Sequence, residues 1–404
     1  MDIARARYLV SNRGREALQA LPPEFATLSI NQLASQLRKQ HAPEESSALA
    51  EQVTLRSRAT GRLDDPASWL LTAEGLEMMT HPLVARRRGS RLAQLGLPVA
   101  DLTCGLGGDL RASAAAGLET VGCDRTPATA LLASANVPGA SVVVADATSP
   151  PLQLANRAVV LDPSRRGPSG RRFDPAAFSP TWTAALELLE CAAAGVMKAP
   201  PGIDHQHIPP AAEAEFVQVG RSMREATLWT GAGAAPGLRR AVLLRSSSAL
   251  PCELDSTAPE SSPECTPVGR FVFDPESCVT RAGLVRHLAH RLSASGSAVT
   301  MLDPQIAYLT GHFAAFDPLC ATFEVLDIVP FSVARLKSRL RERRWRPGEV
   351  RRRAFPVEPD ELQRQLGKIE GDPVALLLTT LAARRIVIVA RRVYEQAEAS
   401  PPER

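Results

Sequence analysis

Several features that mark membrane or secreted proteins are missing from this 404-residue chain. It contains no run of about 18 apolar residues, so the sequence predicts no membrane-spanning helix. The opening residues, MDIARARYLV, lack the apolar core of a secretory signal. The seven cysteines form no C-x-x-C pair, which argues against a zinc ribbon and against a disulfide framework. Together these absences predict a cytoplasmic protein with no membrane partner.

The size and composition of the chain are those of a soluble protein with more than one domain. Apolar residues make up 45% of the sequence and charged residues 22%, which is enough for buried cores under a polar surface. A length of 404 residues predicts two or three domains. The formal net charge of +4 does not by itself indicate a class of partner.

Residues 1–95 predict a helical N-terminal region. Apolar residues recur at helical spacing in INQLASQLRKQ and again in LTAEGLEMMTHPLVARRRGSRLAQLG. In the second stretch Thr72 is placed to cap a helix, and Pro82 is expected to break or kink it.

Residues 96–246 predict a doubly wound α/β sheet, because short Val-rich runs alternate with helical stretches. Such runs, without polar alternation, are typical of parallel strands buried on both faces. The predicted strands are VADL (99–102), TVGCD (120–124), SVVVAD (141–146), AVVLD (158–162) and GVMK (195–198). The predicted helices are RASAAAGL, TPATALLASAN and SPTWTAALELLECAAA. Two or three further strands, near EFVQVG, EATLWTG and RRAVLLR, complete the sheet.

The rest of the chain predicts a linker followed by a small second α/β domain. Residues 247–269 are rich in Ser and Pro and predict a linker or long loop. Residues 270–322 predict a connecting region with the helix TRAGLVRHLAHRL. Residues 323–395 predict a β-α-β-α-β-β unit that ends in the hairpin VALLLTTLAARRIVIVARR.

A glycine-rich turn, DLTCGLGGDL at 101–110, follows the first predicted strand of the sheet. In a doubly wound sheet, nucleotide-like ligands bind where strands meet such turns. Gly105, Gly107 and Gly108 form G-x-G-G and not the dinucleotide pattern G-x-G-x-x-G. A carboxylate at Asp101 would repel a pyrophosphate but suits an ammonium or sulfonium group. The turn therefore predicts a nucleoside-like ligand with a positive centre.

Acidic residues also end the next three predicted strands. Asp124 stands where a carboxylate accepts hydrogen bonds from ribose hydroxyls, and Asp146 stands near the expected place of an adenine amino group. Asp162 ends the fourth strand. Asp124 or Asp146 taken alone is equally typical of a cap for the following helix. In combination they match S-adenosylmethionine, which has a positive centre, a ribose and an adenine but no phosphate.

At these residues the chain resembles the class I S-adenosylmethionine-dependent methyltransferases, and more narrowly the bacterial group that adds a C-terminal THUMP-like domain. The segments that carry the resemblance are LTAEGLEMMTHPLVARRR, DLTCGLGGD, LDPSRRGPSGRRFDP, MKAPPGID, EATLWTG, LDPQIAYLTG and PFSVARLKSRLRER. The resemblance implies a Rossmann-like methyltransferase sheet, a THUMP-like domain over 323–395 and an RNA substrate. It also implies S-adenosylmethionine binding at Asp101, Gly105, Gly107, Asp124 and Asp146. We add their neighbours Thr103, Cys104, Arg125 and Ala147, and also Asp162.

The fourth strand departs from a common methyltransferase pattern. Many methyltransferases that act on exocyclic amines carry N-P-P-Y or D-P-P-Y here, whereas this chain has Asp162-Pro163-Ser164-Arg165-Arg166. The aromatic residue that clamps a flipped base is absent. We predict that Asp162 accepts a proton or hydrogen bond from the attacking group, that Pro163 fixes the turn and that Arg165 also acts there. Cys104 is expected to pack rather than to attack.

Two groups of basic residues predict contact with RNA. The first comprises Arg165, Arg166, Arg171 and Arg172 in the loop after the fourth strand, together with Lys198. The second lies in residues 335–353, which hold ten Lys or Arg against two Glu around Trp345. Its predicted contacts are Arg339, Arg343, Arg344, Arg346 and Arg351. A solvated loop, a surface lysine and a solvated helix face are the alternative interpretations.

The sequence leaves other functions open. The chain is alternatively a methyltransferase for a protein or small molecule, or a non-catalytic protein that binds S-adenosylmethionine and RNA. No metal site is predicted, because His205 and His207 have no further ligands nearby in sequence. We expect no DNA partner, and the sequence does not indicate an oligomeric state.

Overall fold

The computed structural model of the chain describes residues 1–165, 174–248, 250–294, 296 and 298–395. These residues form two compact units. The first unit contains Met1–Val219 and Arg224–Gly237, and the second contains Gly220–Met223 and the described residues from Leu238 onward. None of the helices in the described ranges is long and apolar enough to cross a membrane.

The first unit begins with helices, as the apolar spacing predicts. Their bounds are α1 Ile3–Val10, α2 Asn12–Gln19, α3 Ile30–Leu37, α4 Pro43–Ala59, α5 Ala73–Met78 and α6 Pro82–Ala93. Thr72 caps α5, because its Oγ1 accepts a hydrogen bond from Gly75 N at 3.0 Å. Pro82 is the first residue of α6. The predicted cap and the predicted break at proline are therefore both confirmed.

The sheet of the first unit follows this helical region. Its strands are β1 Val99–Asp101, β2 Thr120–Asp124, β3 Ser141–Val144, β4 Ala158–Leu161, β7 Ala194–Ala199, β8 Glu213–Val219 and β9 Ser222–Gly231. The short strands β5 Ser164–Arg165 and β6 Phe178–Ser179 pair with each other outside this sheet. The helices are α7 Gly108–Ala115, α8 Pro127–Asn136 and α9 Trp182–Glu190.

The strand order creates a crevice at one edge of the sheet. Neighbouring strands follow the order β8-β9-β7-β4-β1-β2-β3. Strands β7, β4, β1, β2 and β3 run parallel, and β9 runs antiparallel to β7. Because β1 has β2 on one side and β4 on the other, the chain changes direction across the sheet at β1. Ligands bind outside the carboxyl ends of strands at such a switch point. The predicted α/β methyltransferase-like sheet is confirmed.

Buried side-chain amides attach the helical region to the glycine-rich turn. Asn136, at the end of α8, accepts a hydrogen bond from Leu70 N at 2.8 Å. Its amide nitrogen donates to Leu70 O and to Leu106 O, each at 3.0 Å. Gln52 on α4 makes the same pair of bonds to the backbone of Leu71. The extended segment before α5 is therefore fixed to α4 and α8 by polar contacts, and Asn136 links it to the glycine-rich turn.

The second unit contains an antiparallel strand pair and a larger sheet. The pair is β10 Arg239–Leu244 with β11 Cys252–Asp255. The larger sheet consists of β12 Phe271–Pro275, β13 Thr300–Asp303, β14 Ile306–Gly311, β15 Cys320–Pro330, β16 Trp345–Arg353, β17 Asp372–Leu381 and β18 Arg384–Val393. Its order is β13-β14-β12-β15-β18-β17-β16. The helices are α10 Ser277–Ala282, α11 Val285–Ser293, α12 Val333–Glu342 and α13 Pro359–Leu366.

The last six elements, from β15 to β18, confirm the predicted β-α-β-α-β-β pattern. Helices α12 and α13 bury Leu336, Leu340 and Leu362 against one face of the sheet. On the other side, Tyr308 and Phe323 belong to a separate buried cluster. Separate buried clusters therefore lie on the two faces of this sheet.

Two details of the second unit differ from expectation. The segment 247–269, predicted as a linker or loop, contains strand β11. Leu254 is buried there, and Arg240 pairs with Glu253 and Asp255 at 3.2 and 3.1 Å, so the acidic residues have a local partner. The single helix predicted over TRAGLVRHLAHRL is divided into α10 and α11 at Gly283, whose φ of 69° ends the first helix.

We predict that Asn136→Ala destabilises the first unit by about 1–3 kcal/mol, because it leaves buried backbone groups of Leu70 and Leu106 without partners. Urea unfolding monitored by circular dichroism measures the change. Asn156→Ala removes an exposed amide and is the control. Equal unfolding midpoints for the two variants would contradict the assigned role of Asn136.

Candidate active site

The carboxyl ends of β1 to β4 surround a cavity of about 420 Å³. Asp101 ends β1, Asp124 ends β2, Asp146 lies two residues beyond β3, and Asp162 directly follows β4. All four residues line this cavity, which we call the first cavity. The structure therefore brings the four predicted acids to one crevice.

The glycine-rich turn forms part of the same wall. Gly105 and Gly107 have φ values of 52° and 92°, a region that disfavours residues with a Cβ. A Cβ at Gly107 would also lie 2.8 Å from the Val137 side chain, whereas one at Gly105 would meet nothing within 4 Å. Gly105 thus combines a left-handed backbone with open space at the cavity, which permits a ligand to approach the chain closely.

Cys104 packs beneath this turn. It is buried, and its Sγ would lie 3.1 Å from a Cβ placed on Gly122. Burial raises the pKa of its thiol well above the ordinary value, and the carboxylates of Asp101 and Asp124 raise the pKa further. A thiol in this environment stays protonated, which favours the packing role over that of a nucleophile.

Asp101 is a buried carboxyl group with an unusual environment. Only 3% of the residue is exposed, and one oxygen accepts a hydrogen bond from Thr103 N at 3.2 Å. Burial, together with the negative charges of Asp109 and Asp162, raises its pKa to about 8. In the described part of the chain, no basic side chain forms an ion pair with it. Asp101 therefore fits a cationic ligand, whose charge would stabilise the carboxylate.

Asp124 and Asp146 each bond to the turn that follows their strand. Asp124 Oδ1 accepts from Thr126 N at 2.7 Å. Asp146 Oδ1 accepts from Thr148 N at 2.9 Å and from Thr148 Oγ1 at 2.6 Å. Neither acid caps a helix: the N-cap of α8 is Thr126, which makes no side-chain capping bond, and the described residues between β3 and β4 contain no helix. Each acid instead uses Oδ1 to fix the turn that follows its strand at the wall of the first cavity.

Asp162 is fixed by two groups from other elements. Its backbone N–H donates to Thr103 Oγ1 at 2.6 Å, which ties it to the glycine-rich turn. Its carboxylate forms an ion pair with Lys198 Nζ. Lys198 also donates to Thr80 Oγ1 at 2.9 Å and is only 9% exposed, so it is not a surface lysine. The lysine holds Asp162 at the edge of the first cavity.

This pair belongs to a longer buried network of opposite charges. Thr80 Oγ1 donates to Asp109 Oδ2 at 2.5 Å. Arg88 on α6 pairs with Asp109 through one nitrogen and with Glu225 on β9 through another. We define the charge network as Arg88, Asp109, Glu225, Lys198 and Asp162, with Thr80 joining its two halves.

The network stabilises the charged forms of Lys198 and Asp109 although both residues are buried. Burial disfavours the charged form of Lys198, but Asp162, Glu225 and Asp109 outweigh it and raise the lysine pKa. Burial likewise opposes ionisation of Asp109, and the positive Arg88 and Lys198 overcome it and lower the Asp109 pKa. Lys198 is therefore a permanent ammonium next to Asp162 rather than a proton acceptor.

The sequence analysis missed most of this network. For Arg88 the sequence does carry a signal. Arg88 lies between Ala85 and Leu92 at helical spacing, which predicts that it lies on the buried face of α6. Glu225 gave no such signal, because it reaches the site only through the position of β9 next to β7.

A second cavity of about 510 Å³ adjoins the first. Both are lined by Met78, Met79, Thr80, Asp162, Ser164 and Phe178. The second cavity is also lined by Pro163 and Lys198. Phe178 was missed by the sequence analysis, and it places an aromatic ring at the junction although no aromatic residue follows Pro163.

Of the other predicted site residues in the first unit, some line the first cavity and some lie outside the described residues. Arg125 and Ala147 line the first cavity, and Arg125 donates to Ser179 Oγ at 3.4 Å. The backbone of Arg165 belongs to the short strand β5. Arg166, Arg171 and Arg172 lie outside the described residues. In the described ranges, no group of three or more His, Cys, Asp or Glu side chains could hold a metal ion.

The basic stretch 335–353 divides into paired and unpaired residues. Arg351, predicted to contact RNA, is instead bonded internally, because its guanidinium donates to Asp274 on β12 at 2.6 Å. Its neighbour Arg353 binds the same carboxylate. Arg339 pairs with Asp327 at 3.0 Å and with Glu342 at 3.2 Å. These internal pairs neutralise part of the charge that the sequence assigns to the surface.

Arg343 and Arg344, which lie between α12 and β16, and Arg346, the second residue of β16, remain exposed. Over the part of the chain that the structure describes, none of the three forms an ion pair with a carboxylate. The Arg343 guanidinium lies 5.9 Å from the centre of the half-buried Trp345 ring. This cluster therefore offers uncompensated positive charge beside an aromatic ring.

Parts of the chain match known protein families. Residues 320–392 match a family model described as THUMP domain-like. Residues 2–59 match a model described as a domain of unknown function, DUF8688.

Comparisons with whole proteins cover most of the chain. It is 32% identical over 350 residues to an uncharacterized S-adenosylmethionine-dependent methyltransferase of Mycobacterium tuberculosis, in both strain CDC 1551 / Oshkosh and strain ATCC 25618 / H37Rv. This match spans 83% of the chain and 93% of the relative. The crystal structure of a candidate methyltransferase from Porphyromonas gingivalis W83 has a TM-score of 0.72 at 20% identity, over 95% of this chain and 99% of that one. The two proteins share a fold.

We predict that Asp101→Asn makes the protein progressively more stable, relative to the unchanged chain, as pH rises from 5 to 9. A carboxyl group whose pKa is near 8 in the folded state and 3.8 when exposed binds a proton more tightly when folded. It therefore costs stability as pH rises through that interval, and asparagine does not. Thermal unfolding at pH 5, 7 and 9 measures the effect.

Asp360→Asn removes a carboxylate at an exposed position and is the control. A difference for Asp101→Asn that does not vary with pH would contradict the environment assigned to Asp101.

Proposed function

This chain belongs to the S-adenosylmethionine-dependent methyltransferase family, and from that premise we propose that it transfers a methyl group to a base or ribose of structured RNA. The exposed cluster of Arg343, Arg344 and Arg346 beside Trp345 carries the RNA part of the proposal. Uncompensated positive charge with an aromatic ring suits a phosphate backbone and a base to stack. The THUMP domain-like match over 320–392 agrees with this partner.

The first cavity fits the cofactor. Asp101, buried and without a basic partner in the described ranges, would face the positive amino or sulfonium group. Asp124 would accept from the ribose hydroxyls and Asp146 from the adenine amino group, while Gly105 and Gly107 would allow close approach. When bound, S-adenosylmethionine supplies a methyl group on a positively charged sulfur. Thr103, Cys104, Arg125 and Ala147 would complete the wall.

Asp162 and Pro163 would present the acceptor. Asp162 lines both cavities, and Lys198 and Thr103 fix its position from two sides. Its carboxylate would accept the hydrogen bond or the proton that the acceptor loses as it gains the methyl group. Pro163 would hold the turn, and Arg165 would contact the RNA. Much of the rate in such a transfer comes from alignment, so no larger acid–base set is required.

The test uses purified protein with donor labelled on the methyl group and a cell extract separated into RNA, protein and small-molecule fractions. Label in the RNA fraction that Asp101→Ala abolishes would support the proposal. Label confined to protein or small molecules would overturn the RNA substrate. The assay is repeated with RNA from cells that lack this protein, so that the acceptor atoms are not already methylated. Donor binding without label in any fraction would then indicate a protein that binds the donor but does not transfer the methyl group.

We predict that donor binding and RNA binding can be removed separately. Asp101→Ala should abolish donor binding measured by calorimetry and leave the RNA dissociation constant unchanged. The double variant Arg343→Glu, Arg346→Glu should weaken RNA binding at least ten-fold, with a smaller salt dependence, and leave donor binding intact. Arg15→Glu, Lys39→Glu changes the net charge equally at other exposed positions and is the control. Equal loss of RNA binding in both double variants would contradict a local RNA surface.

We predict that Lys198→Met lowers kcat by roughly 10²-fold and leaves the KM for the donor unchanged. Lys198→Arg keeps the positive charge beside Asp162 and should retain most of the kcat that Lys198→Met loses. Equal losses of kcat in the two variants would contradict a role for this charge in positioning Asp162.

A further inference from the structure

The second cavity has a volume of about 510 Å³, which lies within the range of roughly 300–1,000 Å³ that is usual for ligand sites. It meets the first cavity at Thr80, Asp162 and Phe178, which line both. A molecule bound there would touch the same carboxylate that faces the donor cavity. The two cavities thus share one wall, and Asp162, which is paired with Lys198, belongs to it.

The charge at the mouth of the second cavity is positive. Three acids line it, and each already has a cationic partner: Asp162 pairs with Lys198, Glu225 with Arg88, and Glu77 with Arg58 at 3.4 Å. Arg62 and Arg224 also line the cavity and are exposed. Neither forms an ion pair with a carboxylate in the described ranges, and Arg62 donates only to Leu76 O at 3.0 Å. Two guanidinium groups therefore remain for an anion.

His81 also lines the second cavity and adds no negative charge to it. Its Nδ1 accepts from Leu83 N at 3.2 Å, so the ring is neutral with its proton on Nε2. Burial lowers its pKa, and the positive charges of Arg224 and Arg86 lower it further. A neutral histidine adds a hydrogen-bond donor without adding charge.

Apolar side chains also line the cavity, beside its charged groups. Its other lining side chains include Leu63, Met78, Met79, Pro200 and Pro201, together with the Phe178 ring. Phe178 packs against Trp182 with the ring centres 5.6 Å apart, which fixes the ring. Flat apolar walls of proline, methionine and phenylalanine suit a planar heterocycle.

We propose that the second cavity is the acceptor site and that it binds one nucleotide turned out of the RNA strand. The base lies between the apolar walls, the acceptor atom reaches Asp162, and the phosphates bind Arg62 and Arg224. This inference rests on the proposed function and names the part of the RNA that the site takes. It also gives a role to the two arginines at the mouth, neither of which forms an ion pair with a carboxylate in the described ranges.

The kinetic test uses Arg224→Ala and Arg62→Ala. The substrate is the acceptor RNA that the labelled-donor assay identifies, in its unmethylated form. Each change should raise the KM for RNA several-fold and lower the slope of log KM against log salt by about one, with the donor dissociation constant unchanged. Arg221→Ala is the matched control, because Arg221 is also exposed, lies three positions from Arg224 and does not line either cavity. Identical KM and salt slopes in all three variants would overturn the acceptor site and leave RNA methylation standing.

A second measurement does not depend on turnover. The donor-bound protein is irradiated with 4-thiouridine 5′-monophosphate or 6-thioguanosine 5′-monophosphate, and the cross-linked peptides are identified by mass spectrometry. Cross-links to residues that line the cavity, including those within 62–63, 76–82 or 198–201 and Phe178, that Arg224→Glu reduces would support the site. Cross-links confined to other peptides, or unchanged by Arg224→Glu, would overturn it. Because the probes are free nucleotides, this result stands whether or not RNA is the substrate that the labelled-donor assay identifies.

Discussion

The carboxyl edge of the first unit's sheet depends on a set of buried charges that compensate one another. Arg88 binds two carboxylates from elements distant in sequence, and Lys198 balances Asp162. Removing one member would leave an unpaired charge in a dry environment, which typically costs about 3–5 kcal/mol. The network therefore holds α6, α7, β7 and β9 around the cavities as a rigid frame. Asp101 is the exception, because it is buried at the same edge without a basic partner in the described part of the chain.

This arrangement explains why the two cavities have opposite preferences. The first cavity is lined by acids, and the buried carboxyl group of Asp101 has no basic partner among the described residues. In the second, every lining acid is already paired, and the arginines at its mouth are not. A cationic donor and an anionic acceptor strand are thus drawn to adjoining sites. They meet at Asp162, whose position is set by Thr103 from the donor side and by Lys198 from the other.

The sequence predicts the strands and the acids at their ends well, because both follow from local rules. Val-rich runs form parallel strands, and the carboxyl ends of such strands share one edge, so Asp101, Asp124 and Asp162 can be placed without coordinates. The charge network cannot be found in this way, since Glu225 reaches it only through the antiparallel insertion of β9 beside β7. The basic stretch shows the same limit. Arg351 looks like surface charge in sequence, yet it is bonded to Asp274, 77 residues away on another strand.

The central claim is that Asp101 is protonated in the empty cavity and becomes charged when the cationic donor binds. Calorimetry of donor binding at pH 6, in buffers of different ionisation enthalpy, measures this directly as the number of protons released. Since the pKa of Asp101 is about 8 without ligand, the account predicts the release of nearly one proton for each donor bound. Donor binding with no proton release would contradict it, because Asp101 would then be either ionised beforehand or unaffected by the ligand.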